Sequence, residues 1–166
     1  MKKFLVILLF IYGANLSYAK QCISKRSTET GESKYTEQHS IETNISGHKL
    51  RIFTLVVNPK SSKKNCDGLK VIESVFWGMS NYVNKNGNVN GNWLTTYDDG
   101  STMYGTFTGN SQTPQDTNQD SISVGSSIIN GGTGIYSNVT GYGTQKTVFN
   151  PEKNYSSGEI TLYFTK

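Results

Sequence analysis

Alanine is all but missing from this chain of 166 residues. Its two copies, Ala14 and Ala19, both fall at the N-terminal end. Alanine is the best helix former, so a domain without it argues against helical layers. Long apolar runs are also lacking after Ile11. A membrane-crossing helix takes roughly 20 apolar residues, so no transmembrane span is expected. Charge of one sign is not in excess either. Sixteen basic residues stand against twelve acidic ones, scattered without a basic stripe. That pattern gives no footing for nucleic acid. Histidine and cysteine occur twice each, which leaves little material for a metal cluster.

What is present begins with an export signal. Lys2 and Lys3 form a positive start, Phe4 to Ile11 is an unbroken apolar run, and Ser17-Tyr18-Ala19 places small residues at −3 and −1. Residues 1–19 therefore read as a secretory signal peptide cleaved after Ala19. A lipoprotein site is not expected, because Ala19-Lys20-Gln21 precedes Cys22 where apolar and small residues are needed. Residues 20–166, 147 in all, are expected to form one domain, enough for its own core. The product is expected in the periplasm or outside the cell. In such an oxidising compartment, Cys22 and Cys66 are expected to pair as one disulfide. Closing a loop of about 44 residues would stabilise the fold by roughly 4 kcal/mol on the chain-entropy account.

The domain is rich in Gly, Ser, Thr, Asn, Tyr and Val, and strand-like stretches recur with turn signals between them. Strands are expected near 21–29, 35–46, 49–58, 69–82, 91–98, 101–109, 121–129, 139–149 and 158–165. Residues 84–90 read as an Asn/Gly turn, 110–119 as a polar loop and 131–134 as a glycine turn. The reading is all-β, a barrel or a sandwich.

Asp98-Asp99-Gly100-Ser101 predicts a hairpin with a two-residue turn at Asp99-Gly100. That register pairs Trp93 with Thr106, Thr95 with Tyr104 and Tyr97 with Thr102. One face then carries Trp93, Thr95, Tyr97, Thr102, Tyr104 and Thr106, large rings beside hydroxyls. The other carries Leu94, Thr96, Met103, Gly105 and Phe107, and reads as core. The first face suits a ligand cavity, a subunit interface or a solvated strand surface with aromatic–threonine pairs. In the strand from Leu69, Val71, Glu73, Val75, Trp77 and Met79 share a face opposite Ile72 and Phe76. Strands 49–58 and 69–82 are apolar on both sides. With no helices to cover them, one side is expected to face the barrel interior and the other a flanking segment or another subunit, which hints at a homo-oligomer.

Few residues offer chemistry. Glu73, mid-strand among apolar neighbours, is the weak candidate for an acid–base group if its face lines a lumen. The alternative is a carboxylate that reaches solvent or a basic partner. His39 and His48 have no metal-ligand spacing and no dyad partner in sequence. No Gly-x-Ser-x-Gly elbow occurs. Asp116-Thr-Asn118-Gln-Asp120 starts like a calcium loop, but Ser121 stands where glycine is needed and Ser127 where a bidentate Glu is required. It reads as a polar loop. Gly132-Thr-Gly134 lacks the third glycine of a dinucleotide site. Lys60, Lys63 and Lys64 form a small basic loop that reads as solvated. No cofactor and no metal are expected.

The stretch from Asn130 to Thr144 carries Gly131, Gly132, Thr133, Gly134, Tyr136, Gly141 and Gly143. It resembles a motif of the allene oxide cyclase-like barrel proteins, which include the dirigent proteins. Gly91-Asn-Trp93, Asp99-Gly100-Ser-Thr102 and Gly105-Thr106 resemble the hairpin before it. The likeness runs from about Gly91 to the C-terminus. It implies an eight-stranded antiparallel β-barrel with a lumen, often trimeric, and places the chain beside the exported bacterial members. It transfers no catalytic residue, because the matching positions are glycines and core aromatics. Three functions arise as expectations. The first is binding of a small, partly apolar ligand (a lipid, metabolite or glycan group) in a lumen lined by Trp77, Trp93, Tyr97 and Tyr104. The second is an isomerase or cyclase using Glu73. The third is a secreted, virulence-type interaction protein acting through its outer surface, with loops 84–90 and 110–119 as contacts. The balance of these leans away from an enzyme.

Overall fold

The segment Thr102–Gln112 alternates small or apolar residues with polar ones. In the computed structural model this alternation becomes a strand with every second residue buried: Met103, Gly105, Phe107, Gly109 and Ser111. Period-two burial of this kind marks a sheet with one face on the core. The structure describes residues 21–115, 119–150 and 155–166, the side chains of 149, 150, 155 and 156 aside. The predicted signal peptide and the calcium-like positions Asp116 and Asn118 lie outside the described residues.

Nine strands succeed one another: β1 Cys22–Thr28, β2 Ser33–Glu42, β3 His48–Val57, β4 Val71–Val83, β5 Asn86–Tyr97, β6 Thr102–Gln112, β7 Ser121–Thr133, β8 Thr140–Asn150 and β9 Tyr155–Thr165. A single 3-10 turn, Gly134–Tyr136, separates β7 from β8. All neighbours are antiparallel, in the order β1-β9-β8-β7-β6-β5-β4-β3-β2. The sheet curls into a barrel-like shape but does not close, because no ladder joins β1 to β2 among the described residues. The all-β reading and the disulfide stand. The strand number is nine rather than eight, and an open seam replaces full closure.

Residues 131–133 of the expected glycine turn are still strand β7, paired with Tyr104, Met103 and Thr102, so that only Gly134 lies in the turn. Two hairpin turns also differ from expectation. Only Asn84 and Lys85 make the first, at φ 49° and 65°. Val83 already pairs with Asn86, so residues 86–90 continue as strand β5. The Asn/Gly-rich composition is compatible with strand here because neighbouring strands supply the ladder bonds. At the other hairpin the loop holds three residues, not two. Tyr97 N–H donates to Ser101 O (2.9 Å) and Gly100 N–H to Tyr97 O (3.0 Å). Gly100 takes φ 83°, a conformation open to glycine. This is the three-residue hairpin in which a turn ends on a left-handed residue. Asp99 fixes it, accepting from Ser101 N–H (2.8 Å) and Ser101 Oγ–H (2.7 Å). These bonds hold the Asp99 carboxyl below its usual pKa.

The extra loop residue shifts the register by one. Trp93 faces Gly105, Leu94 faces Tyr104 and Thr95 faces Met103. A one-residue slip moves a strand's side chains to the opposite face relative to its partner. Trp93, Thr95 and Tyr97 therefore share the buried face with Ser101, Met103 and Phe107, while Thr102, Tyr104 and Thr106 point outward. The predicted mixed face does not form.

The inner face carries the core of Phe53, Val71, Val89, Trp93, Tyr97, Met103, Phe107, Ile129, Tyr136, Val139, Leu162 and Phe164. Phe53 lies over Gly78, where a Cβ would overlap its ring. Gly78 thus marks a close approach between strand and ring.

Candidate functional site

One end of the barrel is plugged. Tyr136 is fully buried and packs against Tyr97 (4.9 Å between ring centroids) and edge-on to Phe164 (5.9 Å). Its hydroxyl accepts a bond from Asn65 Nδ2 at 2.7 Å. Asn65 also accepts the N–H groups of Asp67 and Leu69 through Oδ1 (2.9 and 3.0 Å), which folds the segment before β4 onto the plug. The Cys22–Cys66 disulfide, with Cα atoms 6.0 Å apart, ties this segment to the start of β1. Lys166 Nζ and Asp67 Oδ1 form an ion pair at 2.6 Å. Burial pushes the Tyr97 phenol up to about 12, and burial likewise raises Tyr136. Cys22, Cys66 and Asp67 crowd together, but both sulfurs are committed to the disulfide and offer no thiolate to a metal.

Along the seam the filling changes. A cavity of about 580 Å³ opens between β1, β9, the start of β4 and the loop after β3. Val57, Val71, Phe76 and Ile160 give it an apolar wall, and Ser62, Ser74 and Thr28 a polar one. Arg26, on the inward face of β1 opposite Ile160, reaches into it. Its Nη1 donates to Ser74 Oγ (2.8 Å) and Thr95 Oγ1 (3.2 Å), and these two hydroxyls bond each other at 2.9 Å. Burial lowers the guanidinium's pKa, partly offset by the nearby Tyr97. Arginine still remains charged.

Glu32 fixes the loop that borders the cavity. It is buried and lies just after the turn between β1 and β2. Its carboxylate accepts Glu29 N–H (2.9 Å) and Lys60 N–H (2.7 Å), and its carbonyl accepts Asn58 N–H (2.8 Å). The bonds from Glu29 and then Lys60 lower its pKa. A buried acid in a turn leaves no periodic signal, so nothing in the sequence singles out Glu32. Arg26 is equally hidden, because it sits in a polar strand whose inner face the sequence does not specify.

The sequence-predicted residues are scattered. Trp93 and Tyr97 are packed into the core; the Trp93 indole donates to Thr106 O (3.2 Å) and the Tyr97 hydroxyl contacts Met103 Sδ (3.4 Å). Trp77 and Tyr104 lie on the outer face, close to half exposed. None of the four lines the cavity. Glu73 comes after a bulge in β4 that breaks the expected alternation beyond Val71. It pairs with Thr96 on the outer face, whereas Ser74 turns inward. His48 bridges Thr43 Oγ1 (2.9 Å) and Asn81 Oδ1 (2.6 Å), and exposed His39 meets Glu37 at 3.4 Å. Neither histidine meets a serine or a cysteine among the hydrogen bonds of the described residues, and the hydroxyl that His48 meets, Thr43, lies outside the cavity lining. Of the basic loop, Lys63 borders the cavity.

The single antiparallel, barrel-like sheet has a dirigent-like fold. The solved structure of the pterocarpan synthase dirigent protein GePTS1 aligns over 99% of this chain and 98% of its own, with a TM-score of 0.50 and 12% identity. No family model and no curated protein matches the sequence. The likeness is one of fold, and fold alone does not carry an activity.

Proposed function

We propose that this is an exported binding protein that holds a small, partly apolar ligand, a lipid, metabolite or glycan group, inside its barrel-like sheet. The seam cavity carries this reading. Its volume falls within the range of roughly 300–1,000 Å³ typical of ligand sites, and an apolar patch of Val57, Val71, Phe76 and Ile160 lies within a lining that is otherwise polar and charged. The rings that sequence singled out are replaced as the contact surface by Val57, Val71, Phe76, Ile160, Ser74 and Arg26. An isomerase or cyclase reading finds less support, since Glu73 stands outside the cavity wall. Export is supported by the signal-like N-terminus and the disulfide. Among the described residues no helix is long and apolar enough to cross a membrane.

The test is a thermal-shift screen of the mature protein against lipids, metabolites and glycans, repeated with Ile160→Trp. Stabilisation by one class that disappears when the indole fills the cavity is the expected result. A ligand whose effect survives Ile160→Trp would move binding elsewhere. A panel without any response would remove the reading.

A second reading rests on the outer face. Ile52 and Met79 pair across β3 and β4, and Ile128 and Tyr142 across β7 and β8; all four are about half exposed or more. Trp77 adds to the same surface. Apolar groups of this size in water favour self-association or a protein partner. We expect a homo-oligomer, and light scattering after size exclusion that gives a clean monomer would count against it.

A further inference from the structure

Among the described residues, Arg26 is the one cation whose side chain enters the barrel from β1, and it has no acidic partner there. The Ser74 and Thr95 hydroxyls that receive it are neutral. Ion pairs among the described residues engage other groups. The nearest acids on the cavity rim, Glu29 and Glu159, occupy exposed positions. Glu159 pairs with Ser27, so it shares the outward alternation of β1 and β9 rather than that of Arg26 and Ile160. Lys25 and Lys63 border the same opening. The net result is a polar hollow with one apolar patch, in which three cations, Lys25, Arg26 and Lys63, face two exposed acids, Glu29 and Glu159. A desolvated charge is unfavourable until it is paired and hydrogen-bonded. Two hydroxyls satisfy part of one edge of the guanidinium, and the fork has five N–H donors. The unused donors suit a planar or tetrahedral anion, which arginine binds through parallel hydrogen bonds.

We infer that the cavity takes an organic anion, with its carboxylate, sulfonate or phosphate head on Arg26 and its apolar body against Val71, Phe76 and Ile160. This rests on the cavity-binding reading above and deepens it. Ser74 and Thr95 act as positioning residues, since their mutual bond holds both oxygens toward Nη1. A bare inorganic anion would leave the apolar wall in water, and a neutral apolar molecule would leave the guanidinium unpaired.

Two dyes with the same aromatic body separate these cases. 1-Anilinonaphthalene-8-sulfonate carries the anionic head, and N-phenyl-1-naphthylamine lacks it. Their fluorescence is titrated with the disulfide-intact mature protein, with Arg26→Met, with Arg26→Lys and with Ile160→Trp. The sulfonate dye is expected to weaken by about tenfold or more in Arg26→Met, the scale of losing hydrogen bonds to a charged group. The neutral dye should stay within about twofold in the same variant, because hydrophobic burial is kept. Arg26→Lys should fall between, as a point charge without the fork. Ile160→Trp should abolish both dyes, which places them in the cavity rather than on the outer face. Equal responses of the two dyes to Arg26→Met would overturn the anion assignment while leaving the cavity reading intact. Failure of both dyes to bind the unmodified protein, or binding of both that survives Ile160→Trp, would overturn the two together. Near-ultraviolet circular dichroism of the aromatic plug checks that each variant is folded. Arg26→Lys keeps the assignment falsifiable if Arg26→Met is not.

Discussion

The plugged end and the seam are built from the same inner face of one sheet, yet they are filled in opposite ways. At the plug, aromatic rings occupy the interior and each phenol finds a neighbour: Tyr136 with Asn65, Tyr97 with Met103. Covalent and ionic ties, Cys22–Cys66 and Asp67–Lys166, close it from outside. At the seam, β1 and β2 part, and the interior holds a guanidinium, two hydroxyls and empty volume. The same β1 serves both, with Cys22 at one end and Arg26 four residues on. A packed, satisfied interior stabilises, whereas an unfilled polar one does not. The plug thus reads as the structural half of the molecule and the seam as the half that the proposed binding would use.

The contrast is sharpest in the response to truncation. Tyr136→Ala should destabilise by about 3–5 kcal/mol, the range for removing a large buried ring, measured by urea unfolding. Tyr136→Phe should do less, near the roughly 1–3 kcal/mol of leaving the Asn65 donor unmet. Replacing both cysteines with serine should remove up to about 4 kcal/mol, the chain-entropy value for this loop. A reductant should reproduce that loss in the unmodified protein and have no effect on the variant. If either change left stability untouched, the plug would not be the structural half.

The two regions should also yield at opposite ends of the pH scale. Tyr97 has its folded pKa raised by burial from 10.0 to about 12. Its contribution is therefore complete below its unfolded pKa and is lost as pH rises between those values. Glu32 has a lowered folded pKa. Its contribution is present above the unfolded carboxyl value and is lost as pH falls through the folded one. Tyr97→Phe should flatten the alkaline arm of a melting-temperature profile, and Glu32→Gln the acid arm, with Glu32→Gln lowering the midpoint at neutral pH by a few degrees. Crossed effects would show that the two ends are not separable.

Smallest of all should be the change from filling the seam. Ile160→Trp adds volume where volume is free, so stability should move by about 0.5 kcal/mol or less. A loss as large as that of Tyr136→Ala would mean that the cavity is closed in solution and the seam is packed like the plug.

How much of this is legible in sequence depends on the range of the determining contacts. The absence of alanine, the recurring short strands and the glycine-rich stretch around Tyr136 are local signals, and each leads to the observed architecture. The pairing of Cys22 with Cys66 comes from there being just two cysteines in a chain that reads as exported. The candidate site is far less legible. Sequence places Trp93 and Tyr97 on one ligand surface with Tyr104, and one added loop residue at Asp98 separates them. Asp98 is drawn into that loop by bonds to Lys70, N–H to O at 2.9 Å and Oδ1 from N–H at 3.0 Å. Those contacts come from a chain segment 28 residues earlier, beyond any turn rule. Glu73 is displaced in the same way, by a bulge between Val71 and Glu73 that alternation does not announce.

The sequence by itself determined the β class and the disulfide, because composition acts locally and two cysteines admit a single pairing. Only the tertiary structure decided which side of each strand faces inward, where the sheet stays open, and that Arg26 meets Ser74 and Thr95 across 48 and 69 residues of chain. The physical reason is the period of two. A single inserted residue, whether at a turn or a bulge, reverses the facing of every later residue in that strand. Its presence is set by contacts made only after the strands have come together.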